Sequence, residues 1–173
     1  MPYTEANLVK ARATIARYPF AKSAVLPLLH LAQDQDGWVT PEAMKEIAGL
    51  LDLAPAQVLG TCSFYTMFKR APVGKLVVSV CTNVTCLVMG GPELLDSLRL
   101  RYGSDDDVFV EEVECIAACD CAPVLQVNYE FHGPLTPQSA SEIIDEYKRG
   151  ERTPRTISGS PTNAPLAPSA VVG

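Results

Sequence analysis

Apolar side chains recur every three or four residues through the first 68 positions of the chain, which is the spacing of amphipathic helices. Four helices are predicted there, over residues 4–18, 23–35, 40–51 and 55–68. Thr4 and Thr40 are suited to cap the first and third helices, and Gly37 is suited to end the second. Because the connections between them are short, these helices are expected to form a compact helical domain.

The pattern changes at residue 75 to short runs that are rich in β-branched residues. Strands are predicted over residues 76–80, 108–113, 124–127 and 129–132, and helices over residues 90–102 and 136–150. Asn128 lies between the last two strands, where its tolerance of left-handed backbone suits a hairpin turn. The sequence therefore predicts a small sheet with helices packed against it in two layers.

These patterns divide the chain into three segments. Residues 1–70 are expected to form the helical domain, and residues 71–150 the domain that contains the sheet. Residues 151–173 are rich in Pro, Ser, Thr and Ala and have almost no large apolar side chains. That composition predicts a disordered tail.

Composition and charge narrow the classes of function. The formal net charge of −6 disfavours binding to a phosphate backbone, and the scarcity of Lys and Arg in the helix–turn–helix-like residues 40–65 disfavours DNA binding there. No apolar run approaches the length needed to cross a bilayer, and the N-terminus lacks the pattern of a secretory signal. The six cysteines are therefore expected to be metal ligands or redox groups of an intracellular protein.

Two cysteine pairs follow predicted strands, Cys81 with Cys86 and Cys115 with Cys119. Four thiolates from two loops suit a [2Fe–2S] cluster, which needs two sulfur ligands for each iron. The same spacing suits a structural zinc site with four cysteines, so spacing alone leaves both possibilities open. A thiol–disulfide oxidoreductase is a third alternative, but it favours C-x-x-C, which neither pair has.

Other side chains with chemical potential are expected to have structural roles. Cys62 lies on an apolar helix face and is predicted to pack in the core. His30 is expected to be a core histidine of a leucine-rich helix, and Trp38 to pack at a helix junction. His132 follows a strand and is expected to face solvent.

Several stretches of the chain resemble one known family. They are residues 15–19, 26–33, 37–38, 41–44 and 64–68, together with the pattern Cys81-x4-Cys86, Cys115-x3-Cys119 and Ala122-Pro123. They resemble the NADH–quinone oxidoreductase component that is designated E, which is the small [2Fe–2S] flavoprotein-fraction subunit of respiratory complex I. The resemblance covers roughly residues 8–148, with both domains in the family's order.

The resemblance implies an α+β fold, in which an N-terminal four-helix bundle is followed by a thioredoxin-like [2Fe–2S] ferredoxin domain. It favours iron–sulfur over zinc and implies that Cys81, Cys86, Cys115 and Cys119 are the cluster ligands. Ala117 stands where the family commonly has glycine, and Cys121 where it usually has no cysteine. Cys121 is expected to be a bystander.

The resemblance also implies an electron-transfer role without a catalytic residue on this chain. The cluster would exchange single electrons with FMN on a partner subunit that oxidises NADH. The chain has no G-x-G-x-x-G or phosphate loop, so neither NADH nor FMN is expected to bind to it. The partners would be this flavin subunit and the other peripheral-arm subunits of complex I, on the cytoplasmic face of a bacterial inner membrane.

Three further expectations accompany this role. Glu114 and Asp120 lie beside predicted ligands, and their negative charge predicts a low reduction potential. An aromatic cluster at residues 64, 65 and 68 is expected to pack between the domains or against the flavin subunit. The equivalent subunit of a soluble NAD-linked hydrogenase or formate dehydrogenase remains an alternative, because it shares the same module.

Overall fold

The computed structural model describes residues 2–158 of the chain. Its backbone contacts group into two compact units. The first, which we call the helical unit, comprises residues 2–75 and Asp105–Phe109. The second, the sheet unit, comprises Leu76–Ser104 and residues 110–158.

The helical unit begins with four α-helices. They are α1 (Glu5–Ile15), α2 (Val25–Asp36), α3 (Pro41–Leu51) and α4 (Pro55–Phe64). The predicted caps are confirmed, since the side chains of Thr4 and Thr40 accept hydrogen bonds from the backbone N–H groups of Asn7 and Ala43. Gly37 takes the left-handed backbone, φ 78°, at the end of α2.

Three helix boundaries in this unit differ from the prediction, of which the first is the end of α1, at Ile15 rather than at residue 18. A 3-10 turn, Ala21–Ala24, precedes α2, so this helix begins at Val25 rather than at residue 23. Helix α4 ends at Phe64, because the chain beyond it bonds to the buried Gln33 side chain of α2 rather than continuing the helix. The Gln33 amide donates to the Met67 carbonyl at 3.1 Å and accepts from the Lys69 N–H at 2.7 Å.

The core of the helical unit consists of buried aliphatic side chains, of which Leu28, Leu29 and Ile47 are fully buried. None of the helices within residues 2–158 is by itself long and apolar enough to span a membrane. Helices α3 and α4 reach that length and hydropathy only when they are taken together, and the chain bends by 119° between them.

Four strands form one sheet, which belongs to the sheet unit except for the first two residues of the second strand. They are β1 (Leu76–Cys81), β2 (Val108–Val113), β3 (Leu125–Val127) and β4 (Glu130–His132), in the spatial order β2-β1-β3-β4. Strand β3 is antiparallel to both β1 and β4, with Val78 opposite Val127 and Leu125 opposite His132. Asn128 at φ 47° and Tyr129 at φ 67° form the predicted hairpin turn, so both central residues are left-handed.

Three helices complete the sheet unit. They are α5 (Val84–Val88), α6 (Gly91–Tyr102) and α7 (Pro137–Lys148). Helix α6 packs on β1 and on α7, and buries Leu94 and Leu98 completely. The sequence predicted α6 and α7, but not the short helix α5.

Residues 151–158 contain no helix or strand, but they contact the sheet unit. The Asn128 amide donates to the Arg155 carbonyl at 2.7 Å, and Arg152 forms an ion pair with Glu146 at 2.5 Å. This part of the chain therefore differs from the disordered tail predicted from residue 151. The rest of that predicted tail, residues 159–173, lies outside the described residues.

Candidate metal centre

The first cysteine pair is held by regular structure. Cys81 is the last residue of β1, and its N–H donates to the Val124 carbonyl at 3.2 Å. Cys86 lies on α5, which Asn83 caps by accepting a hydrogen bond from the Val84 N–H at 2.8 Å. The two cysteines are only 2% and 1% exposed, so this pair is in the interior.

The second cysteine pair lies in the loop after β2, where both thiols are exposed. The Sγ atoms of Cys115 and Cys119 are 3.9 Å apart. Between them, Ala117 takes the left-handed backbone at φ 61°, and its N–H donates to the Cys115 Sγ at 3.4 Å. This conformation costs an alanine about 1–2 kcal/mol, which glycine would avoid.

The two pairs come together at one site. The Cys86 thiol hydrogen-bonds with Cys81 and also interacts electrostatically with Cys119. Burial is the main cause that raises the pKa of Cys86 to about 11, although a hydrogen bond with the Val124 backbone lowers it. The cluster of buried and half-buried side chains around Cys81 and Cys86 also includes Ile116, Ala118, Cys121, Ala122 and Val124.

The thiols form two pairs, and the 3.9 Å between the sulfurs of Cys115 and Cys119 suits more than one metal. A tetrahedral zinc with ligands at 2.3 Å would place every two of its four sulfurs about 3.8 Å apart. Within residues 2–158, no group of three or more His, Cys, Asp or Glu side chains is placed to hold one metal ion. Separate pairs are the arrangement that two linked irons require, with two thiolates each. The four thiols can hold a binuclear cluster, and the choice between it and a single zinc depends on the family of the chain.

Hydrogen bonds join the residues before α5 to the end of β2 and the residue that follows it. The Thr82 hydroxyl lies 2.7 Å from the Glu112 carboxylate, and the Asn83 amide donates to Glu114 at 3.0 Å.

Gly91, the first residue of α6, lies so close to this site that a Cβ there would be 2.7 Å from the Cys81 carbonyl oxygen. The sequence analysis did not predict that position 91 needs glycine, although two adjacent glycines, Gly90 and Gly91, are typical of a close backbone approach.

Comparison with known proteins decides the family. The model of the thioredoxin-like [2Fe–2S] ferredoxin family matches residues 11–148. The chain belongs to this family. The prediction of a thioredoxin-like fold with mixed helices and sheet is thereby confirmed at the level of the family.

Curated relatives of this chain have the same name as the family that its sequence resembles. Proteins of Mycobacterium bovis and Mycobacterium tuberculosis, both named as the NADH-quinone oxidoreductase component designated E, are 45% identical to it over 147 residues. A mitochondrial protein of Dictyostelium discoideum, NADH dehydrogenase [ubiquinone] flavoprotein 2, is 35% identical over 161 residues. These matches cover 81% and 87% of this chain. The chain spans 58% of the length of the mycobacterial relatives and 65% of the Dictyostelium one.

A solved structure shares the fold. In the crystal structure of an NAD+-reducing [NiFe]-hydrogenase in the air-oxidised state, one chain aligns with a TM-score of 0.63 at 21% identity. The alignment covers 75% of this family member and 23% of that chain. At this identity the likeness shows a common fold.

Among the other predicted side chains, Cys62 is confirmed as a core residue at 1% exposure. His30 is half-buried, with its ring centroid 4.8 Å from that of Phe68, which agrees with its predicted packing role. The prediction for His132 was wrong, because Tyr147 of α7 covers it. Its Nε2 lies 3.2 Å from the Tyr147 hydroxyl, and burial lowers the pKa of His132.

Cys121 is half-buried two residues after Cys119, on the 3-10 turn Cys119–Cys121. Its Sγ contacts the Ala118 carbonyl oxygen at 3.4 Å.

The aromatic cluster extends from the core to the surface, since Phe68 is 4% exposed and Phe64 is 77% exposed. Its ring centroids are 5.0 Å apart between Phe64 and Tyr65, and 6.4 Å apart between Tyr65 and Phe68.

Proposed function

We propose that Cys81, Cys86, Cys115 and Cys119 bind a [2Fe–2S] cluster, and that this chain is the electron-transfer subunit of the NADH-dehydrogenase module of complex I. The observation that carries the proposal is the meeting of two thiol pairs, one buried and one exposed, at the ends of β1 and β2. Membership of a [2Fe–2S] family supports iron over zinc.

The chain's own residues would control the properties of this cluster, which when bound supplies a carrier for one electron. The burial of Cys81 and Cys86 keeps water from one side of the site. The N–H of Ala117 donates to one ligand sulfur and stabilises negative charge there. The exposed carboxylates of Glu114 and Asp120 oppose an additional negative charge, so we propose a low reduction potential.

The partner in this proposal is a subunit that binds FMN and NADH, within a peripheral arm on the cytoplasmic face of a bacterial inner membrane. The names of the mycobacterial relatives support this assignment. Oxidation of NADH would take place on that partner, and we propose no catalytic residue on this chain. The equivalent subunit of a soluble NAD-linked hydrogenase is a second candidate, which the fold shared with the hydrogenase chain favours.

The domain organisation that accompanies this function is also a proposal. We place a four-helix bundle domain at residues 1–70 and the thioredoxin-like [2Fe–2S] domain at residues 71–150. The division of backbone contacts near Lys75 supports this boundary. Helices α1 to α4, which share one core, support the bundle.

Spectroscopy of the purified chain tests the cluster. Protein purified without oxygen is expected to be coloured, to contain two irons and two sulfides per chain, and to give an EPR signal after reduction with dithionite. A colourless, EPR-silent protein with one zinc per chain would overturn the proposal. The subunits that co-purify with the native chain then separate complex I from a hydrogenase or a formate dehydrogenase.

A further inference from the structure

Helix α5 exposes an apolar face beside the cysteine site. Val84, Leu87 and Val88 lie at positions i, i+3 and i+4, which places them on one side of the helix. They are 72%, 56% and 80% exposed, and the next residue, Met89, is 56% exposed. We call these four residues the α5 patch.

Helix α5 lacks the polar outer face of a typical surface helix. Cys86 faces inward, at 1% exposure, and the exposed residues of α5 are aliphatic except for Thr85. No residue from position 82 to position 92 is charged. By contrast, the 91% exposed Leu100 stands alone on α6, between Arg99 and Arg101. Adjacent exposed apolar side chains mark an interaction site, whereas a single one does not.

Carboxylates lie along one side of the α5 patch. Glu112 and Glu114 bond to Thr82 and Asn83, the two residues that precede α5. Arg99 lies 3.8 Å from Glu112 and neutralises part of this charge. Glu114 remains an exposed acidic group of the adjoining loop. The surface therefore has an apolar centre with an acidic border, which is complementary to an apolar surface with a basic border.

We propose that the α5 patch is the docking surface for the flavin-carrying partner subunit, which meets it with apolar side chains and a basic border. This inference rests on the proposed function. Cys86 lies on the opposite face of the same short helix, so a partner docked here would be separated from the ligand sulfur only by the thickness of α5. Docking would also cover the apolar side chains that water now contacts.

A matched pair of variants tests the docking surface. Val88→Asp adds a charge to the α5 patch, and Leu100→Asp adds the same charge at an even more exposed leucine on α6. Each chain is co-expressed with the FMN-binding subunit, and the dissociation constant of the purified pair is measured by titration at low and at high salt. Val88→Asp is expected to weaken binding by about tenfold or more, and Leu100→Asp by less than about twofold.

Cluster content is measured in the same samples, by EPR after dithionite reduction. It is expected to be unchanged in both variants, and wild-type binding is expected to weaken as salt rises. Equal affinities of the two variants would overturn the docking surface while leaving the proposed function intact. A wild-type dimer that Val88→Asp converts to monomers, with no effect on flavoprotein binding, would overturn it in favour of a second copy. Absence of the cluster from wild type would instead show that the proposed function is wrong.

Discussion

The two cysteine pairs of one site are held in opposite ways. Cys81 and Cys86 lie on a strand and a helix and are nearly inaccessible to solvent. Cys115 and Cys119 lie in an exposed loop, where Ala117 takes a backbone conformation that disfavours side chains. The first pair is thus positioned by packing, and the second by local backbone geometry.

The two pairs therefore differ in function: packing holds the buried pair in place, whereas the exposed pair is accessible to solvent. Within the buried pair, Cys86 resists ionisation without metal, since burial raises its pKa to about 11. In the proposed site, binding of iron would therefore displace a proton from this thiol. The exposed pair presents its sulfurs to solvent and is accessible to incoming iron. We infer that loss of a buried ligand has a larger effect than any change in the exposed loop.

The largest expected effect is that of Cys86→Ala. This variant removes a proposed ligand, the buried thiol of α5, and it is expected to lose most of its iron and its EPR signal. Cys62→Ala is the matched control, because Cys62 is equally buried, at 1% exposure, but belongs to the helical unit. Iron and sulfide analysis of both proteins checks this prediction, and equal iron contents would contradict it.

Gly91→Ala tests the packing behind the buried pair. The added Cβ would lie 2.7 Å from the Cys81 carbonyl oxygen and 2.8 Å from that of Cys86, so backbone must move. The free energy of unfolding is expected to fall by about 1–3 kcal/mol. Urea denaturation of the metal-free chain measures this change.

Gly49→Ala is the control for that substitution. Gly49 lies within α3, and a Cβ there would have no atom within 4 Å. Its replacement is expected to raise the free energy of unfolding by up to about 1 kcal/mol, because alanine is the better helix former. A loss of stability at Gly49 as large as that at Gly91 would disprove the role of close packing.

Ala117→Gly tests the strained loop of the exposed pair. Glycine adopts φ 61° without steric cost, but it also gains entropy in the unfolded chain. The net gain in the free energy of unfolding is expected to be at most about 1 kcal/mol. Ala118→Gly is expected to destabilise instead, because Ala118 has a negative φ, −115°. The same denaturation experiment compares the two, and a loss of stability for Ala117→Gly would contradict the argument.

The smallest effect is expected for Cys121→Ser. Its Sγ contacts the Ala118 carbonyl, which a serine hydroxyl can also do, and we do not assign it as a ligand. Iron content and the EPR spectrum are expected to match those of wild type. Loss of the cluster in this variant would overturn the proposed ligand set.

Periodicity and turn chemistry predicted most elements of the fold. Thr4, Thr40 and Gly37 marked helix ends correctly because capping depends on neighbouring residues in sequence. The boundary at Phe64 was missed because it depends on Gln33, a buried amide 31 positions earlier. The exposure of His132 was predicted wrongly for a similar reason, since only the packing of α7 places Tyr147 over it.

For the candidate site, the sequence by itself determined the two cysteine pairs, their position after strands and the family they resemble. Only the tertiary structure decided that one pair is buried and the other exposed, that Ala117 is left-handed and that α5 presents apolar side chains to solvent. Spacing is a local property of the chain, whereas burial depends on contacts between segments far apart in sequence. The same spacing can therefore belong to a packed helix or to an open loop.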